Sequence, residues 1–161
     1  MKNKYDLIKF EEGLKLKPYK DTAGKWTIGY GRNLDDNPLN PAEIAAVSNG
    51  KEDWDIFKDG ITEEGANYLL ERGVDKVENI LMKELPWFIN LDSVRKAAIL
   101  DMAFNMGIAG LMKWGPTLLL MKNNQWADVV RHIKKSFAFT KLPVRYARIS
   151  NMFITGQWPK D

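Results

Sequence analysis

Phe10-Glu11-Glu12-Gly13-Leu14, then Tyr19-Lys20-Asp21, then Trp26-Thr27-Ile28-Gly29-Tyr30-Gly31: these segments decide how the chain is read. Trp26–Gly31 is the best strand signal in the sequence, and Asp21-Thr22-Ala23-Gly24 before it reads as a tight turn. A hairpin follows, with Lys15–Tyr19 as its first strand, and Pro18 confines that strand to a sheet edge. Upstream, Tyr5, Leu7, Ile8 and Phe10 mark a short helix over residues 1–13 that stops at Gly13. The stretch therefore predicts helix, strand, turn, strand. It places a carboxylate at a helix end, a second at a hairpin turn, and a hydroxyl on the returning strand.

Outward from there, residues 14–60 are rich in Gly, Asp, Asn and Pro. Asn40-Pro41-Ala42-Glu43 is a helix start, with Asn40 as cap, Pro41 in the first position and Glu43 three residues past the cap. Asn49-Gly50 ends that helix. From Thr62 to about Leu85, apolar residues recur at helical spacing, and Pro86 follows. Asp92 caps a helix to about Met106, with Gly107 as its stop. This helix is apolar almost all round, so it belongs at the centre of a bundle. Further helices are expected at Thr117–Lys122, Trp126–Lys134 and Pro143–Thr155, with Gly156 beyond the last. The pattern is an α+β fold without repeats. A small N-terminal β-hairpin lobe (14–60) and a larger helical lobe (1–13 with 86–161) are joined by a long helix (61–85), with a cleft between the lobes.

The 161 residues suit one domain, and 45% hydrophobic with 28% charged residues is an ordinary globular balance. A net charge of +3 is too weak to announce a nucleic-acid binder, though it suits approach to an anionic surface, of which cell-wall peptidoglycan is one and any membrane another. There is no cysteine, which excludes disulfides and thiolate catalysis, and His132 is the only histidine. A His-rich metal site is excluded by that count, and carboxylate chemistry is favoured. The charged N-terminus carries no signal-like apolar stretch, and no window approaches the length of a membrane span.

Glycoside hydrolysis needs one protonated carboxyl to donate to the leaving oxygen and a second, ionised group to handle water. Eight residues separate Glu12 from Asp21, and five separate Asp21 from Thr27. Helical phase does not choose Glu12 over Glu11, because Glu11 lies nearer the Leu7/Phe10 side.

At this point the sequence resembles the phage-type lysozymes (endolysins). Their motif is a Glu, eight residues, an Asp, five residues and a Thr, in a helix–hairpin frame; Glu12, Asp21 and Thr27 match it without gaps. The likeness continues through Arg95-Lys96-Ala97-Ala98, Asn105-Met106-Gly107 and the stretch 136–158, and is weakest at 35–60. It implies a single lysozyme-like domain over 1–161 and inverting cleavage of peptidoglycan, with Glu12 as general acid and Asp21 and Thr27 positioning water beneath the sugar. It further implies substrate contacts at Asn33, Phe104, Thr117 and His132, set against the plain readings of Phe104 as core and His132 as a surface residue. Arg145 corresponds to a family arginine that faces the catalytic glutamate. Asp101, a charge in an apolar helix, needs a partner, either Arg145 or Arg148, unless it reaches solvent.

One position departs from the pattern: Arg32 stands where the family commonly has His, with Glu71 as a candidate partner. No metal or organic cofactor is implied. The implied biology is phage- or prophage-driven lysis by a monomer that accumulates in the host cytoplasm. It reaches the periplasm and wall through a holin, without stable membrane insertion or nucleic-acid binding. Two other classes stay open: a lytic transglycosylase, which would leave anhydro ends, and a non-catalytic wall-binding module. A helical DNA-binding protein is disfavoured because Lys134, Lys135, Lys141, Arg145 and Arg148 form no single dense basic face.

Overall fold

The computed structural model describes residues 1–160. The helices are α1 (Lys4–Glu12), α2 (Pro41–Val47), α3 (Ile56–Asp59), α4 (Glu63–Glu84), α5 (Ser93–Met112), α6 (Gly115–Lys122), α7 (Trp126–Lys134), α8 (Phe137–Lys141) and α9 (Pro143–Thr155). The strands are β1 (Lys15–Lys20), β2 (Trp26–Gly29) and β3 (Arg32–Asn33), and a 3-10 helix spans Pro86–Asn90. The fold is α+β, as the sequence predicts. The chain divides into two compact units, one of residues 8–75 and one of residues 1–7 with 76–161.

In the unit of residues 8–75, the three strands form an antiparallel sheet in the order β1-β2-β3. Pro18 sits on the edge strand, where its missing N–H leaves no gap in a ladder. Ile28 is fully buried and packs with Val47, Ile61, Ala66 and Leu69 in a small core. The helix start at Asn40 is a complete capping box. Asn40 accepts from the Glu43 backbone N–H at 2.8 Å, and Glu43 accepts from the Asn40 N–H at 3.1 Å.

In the other unit, α5 is the apolar centre. Val94 and Ala97 through Ala103 are buried, Asp101 included. Tyr146, Ile149, Met152 and Phe153 of α9 are likewise buried. Trp126 stacks on Phe153 at 5.5 Å.

Gly107 interrupts the helix where the sequence places its stop, and a second helical stretch that the sequence reading did not foresee follows it. Gly107 is a kink with φ 77° and ψ 160°, and helix resumes to Met112. Its missing side chain lets the backbone leave the helical conformation there. The sequence reading also omitted β3, α3, the 3-10 helix and α8. Each is too short to display a hydrophobic period.

Candidate active site

Glu12 is the last residue of α1, and its carboxyl lies directly on the backbone of Gly31. A Cβ added at Gly31 would stand 2.8 Å from Glu12 Oε2. Gly31 holds φ +77° in the turn between β2 and β3, a conformation that favours glycine. A glycine therefore serves twice here, as a turn former and as a seat for the carboxyl.

The sheet register explains which other groups gather. Tyr19 stands opposite Thr27, and Thr27 opposite Asn33. Residues directly opposite on neighbouring strands share a face. The ladder runs on through the Asp21 N–H to Lys25 C=O bond at 2.9 Å, which keeps Asp21, two residues past Tyr19, on that face. The opposite face carries Ile28 into the core and Trp26 onto Phe57, edge to face at 5.0 Å.

Each group on the shared face is held. Asp21 Oδ1 accepts from the backbone N–H groups of Ala23 and Lys25, both at 2.9 Å, which locks the carboxylate across the turn. Its Oδ2 accepts no hydrogen bond from the described residues and is left for a ligand or water. Thr27 is buried, and its hydroxyl donates to the Lys25 carbonyl at 3.1 Å. Burial first, and then the negative charges of Glu12 and Asp21, hold the Tyr19 phenol above its ordinary pKa. The sequence reading did not single Tyr19 out; its alternation with Asp21 along the strand was the available signal.

Asn33 is on this face, but its amide is occupied. Its Oδ1 accepts from the Asp35 and Asp36 N–H groups, and its Nδ2 donates to Asp36 at 2.9 Å.

Arg32 pairs with Glu43, not with Glu71 as the sequence suggested. The contact is a two-pronged ion pair, Nη1 to Oε2 at 2.6 Å and Nη2 to Oε1 at 2.9 Å. Glu71 is exposed, whereas Glu43 is buried beside its own helix cap, where a guanidinium is needed to neutralise it. Arg32 holds the Glu43 carboxyl below its usual range, chiefly through the side-chain hydrogen bond.

The remaining candidates lie in the helical unit. Asp101 is fully buried and pairs with Arg145 Nη2 at 2.6 Å, joining α5 to α9. Beside it the Tyr146 hydroxyl donates to Asn105 at 2.7 Å, and burial pushes that phenol up to about 12. Phe104 is half-buried on α5. Thr117 on α6 and His132 on α7 are joined by a hydrogen bond of 2.9 Å. Both line a hollow of about 390 Å³ with Trp114, Lys113 and Lys135. Among the described residues no cluster of three or more His, Asp or Glu could hold a metal ion.

A family model described as phage lysozyme matches residues 9–140. The probable T4-type lysozyme 2 of Dictyostelium discoideum is 32% identical over 94% of this chain and 93% of its own length. The pre-baseplate central spike protein Gp5 of Enterobacteria phage T4 is 28% identical over 94% of this chain, but over only 27% of its own length. An endolysin of Acyrthosiphon pisum secondary endosymbiont phage 1 is 30% identical over 63% of this chain and 56% of its own length.

Proposed function

The chain belongs to the phage lysozyme family and is a lysozyme-like peptidoglycan hydrolase, and from that premise we propose that it cuts the β-1,4 bond between N-acetylmuramic acid and N-acetylglucosamine with inversion at the anomeric carbon. Glu12 is the general acid. It protonates the glycosidic oxygen as the bond to the anomeric carbon breaks. A water held by Asp21 and Thr27 attacks that carbon from the opposite face and passes its proton to Asp21. An inverting pair works at a carboxyl separation of roughly 6.5–9.5 Å, which leaves room for the water.

The observation that carries this reading is the placing of the Glu12 carboxyl against Gly31, in the turn that follows the strand bearing Thr27, with Asp21 held in the turn that precedes it. Asp21 Oδ2 supports the water-holding role, because Oδ1 is already committed to the turn. Phe104 and the linked Thr117–His132 pair are proposed as substrate contacts, and for Asn33 the committed amide favours a role in shaping the loop. The relative named endolysin supports a role in lysis of a bacterial host; in this proposal the protein acts as a monomer that reaches the wall through a holin. No helix among the described residues is long and apolar enough to cross a membrane.

Wall clearing and product analysis test the reading together. Glu12→Gln is expected to lower the rate by about 10²–10⁴-fold, and Glu11→Gln to leave it near wild type. Loss of activity in the Glu11 variant alone would overturn the assignment. The cut ends should be reducing sugars released first as the α-anomer. Anhydro-muramyl ends would mean a transglycosylase, and β-anomer release would mean retention.

A further inference from the structure

We propose that Arg32 is a positioning residue for Glu12: it holds the Tyr30–Gly31 turn in the one conformation on which the Glu12 carboxyl is seated. The inference rests on the reading of Glu12 as general acid. The ladder beside the turn is short: β3 is two residues long and pairs through Ile28–Arg32 and Thr27–Asn33, with one further backbone bond from the Leu34 N–H to the Trp26 carbonyl at 2.7 Å. The Arg32 side chain supplies what the ladder lacks. Its Nε donates to the Asn37 carbonyl at 2.8 Å, Nη2 to the Pro38 carbonyl at 3.1 Å, and the two Nη groups to Glu43.

The far end of this contact is itself rigid. Glu43 Oε1 also accepts from the Asn40 N–H, so the carboxylate that receives the guanidinium is part of the α2 cap. Helix α2 is anchored in turn by Val47, which packs with Ile28 in the core. A continuous line of contacts therefore runs from the core through α2, Glu43 and Arg32 to Gly31 and the Glu12 carboxyl. A planar, multiply bonded guanidinium fixes orientation as well as distance, which a flexible ammonium cannot do. A general acid must sit within hydrogen-bond reach of the leaving oxygen, and a misplacement of about 1 Å lowers a rate by about 10²-fold. Arg32 acts on this geometry without touching the reacting atoms.

The test is steady-state kinetics on soluble glycan fragments, at a temperature where circular dichroism shows each variant folded. Arg32→Met is expected to lower kcat by about 10-fold or more, with KM within about twofold. Arg32→Lys should recover part of kcat, and Glu43→Gln should lower kcat less, in the same direction. Lys4→Met, which breaks the ion pair of Lys4 with Glu78 at the opposite end of α1 from Glu12, is the control for lost stability and should keep wild-type kcat. The amide resonance of Gly31 should shift in Arg32→Met and stay in place in Lys4→Met. Wild-type kcat in folded Arg32→Met, or an equal fall in Lys4→Met, overturns the inference. If Arg32→Met does not fold, unchanged kcat in both Arg32→Lys and Glu43→Gln overturns it instead. Glu12→Gln, measured alongside, separates the two claims. If it stays active, the reading of Glu12 fails; if it is dead while Arg32→Met is fully active, only the role of Arg32 fails.

Discussion

Gly31 is where backbone conformation and chemistry meet in this chain. Gly31→Ala forces a Cβ to within 2.8 Å of Glu12 Oε2 and places an L-residue at φ +77°. The left-handed backbone alone costs about 1–2 kcal/mol, so the variant should fold with reduced stability in urea. Its glycan cleavage should fall far more than that loss explains, because the carboxyl must move. Full activity in the folded variant would show that Glu12 does not work from this seat. Arg32 and Glu43 make a second prediction at this scale. The Glu43 pKa is lowered in the folded state, so its pairing stabilises the fold above its ordinary value near 4.5 and is lost as pH falls through the folded value. The stability difference between wild type and Arg32→Met should therefore be full at neutral pH and shrink in acid below about pH 4.5. A difference that does not change from pH 7 to pH 3, by urea titration, would deny the linkage.

At the scale of elements, agreement between pattern and structure follows length and local chemistry. The cap at Asn40 and the start of α5 after Asp92 were legible because side chain and backbone satisfy each other within four residues. The 3-10 helix, α3 and α8 were not, since one turn of helix shows no period. Gly107 was legible as the end of a helical run, and its backbone is non-helical; the short helical stretch that follows it to Met112 was not legible. Gly107→Ala tests the kink. No heavy atom lies within 4 Å of the added Cβ, so any effect is conformational. With φ 77° and ψ 160°, it should cost about 1–3 kcal/mol in urea unfolding. A neutral substitution would mean that the kink is not required.

At the scale of the whole molecule, the buried Asp101–Arg145 pair joins α5 to α9 inside the helical unit. Removing Asp101 takes its carboxylate from a guanidinium that is itself buried. Asp101→Ala should accordingly destabilise by about 3–5 kcal/mol in denaturant titrations. A loss below about 1 kcal/mol would show that Arg145 finds another acceptor. The net charge of +3 belongs to this scale too. Attraction to an anionic wall fades as the screening length falls from about 10 Å at 0.1 M salt to about 3 Å at 1 M. Clearing of whole walls should slow over that range, while cleavage of short neutral glycan fragments should not.

The sequence by itself determined the fold class, the hairpin with Pro18 at the sheet edge, the helix start at Asn40, and the spacing of Glu12, Asp21 and Thr27. These depend on residues near one another in the chain, where turn chemistry, capping and strand alternation act directly. Only the tertiary structure decided that Gly31 seats the Glu12 carboxyl, that Tyr19 feels both carboxylates, that Arg32 takes Glu43, and that Asp101 takes Arg145. Those partners are chosen by burial and by which charges are left without water. Both follow from how elements pack, and no local pattern encodes them.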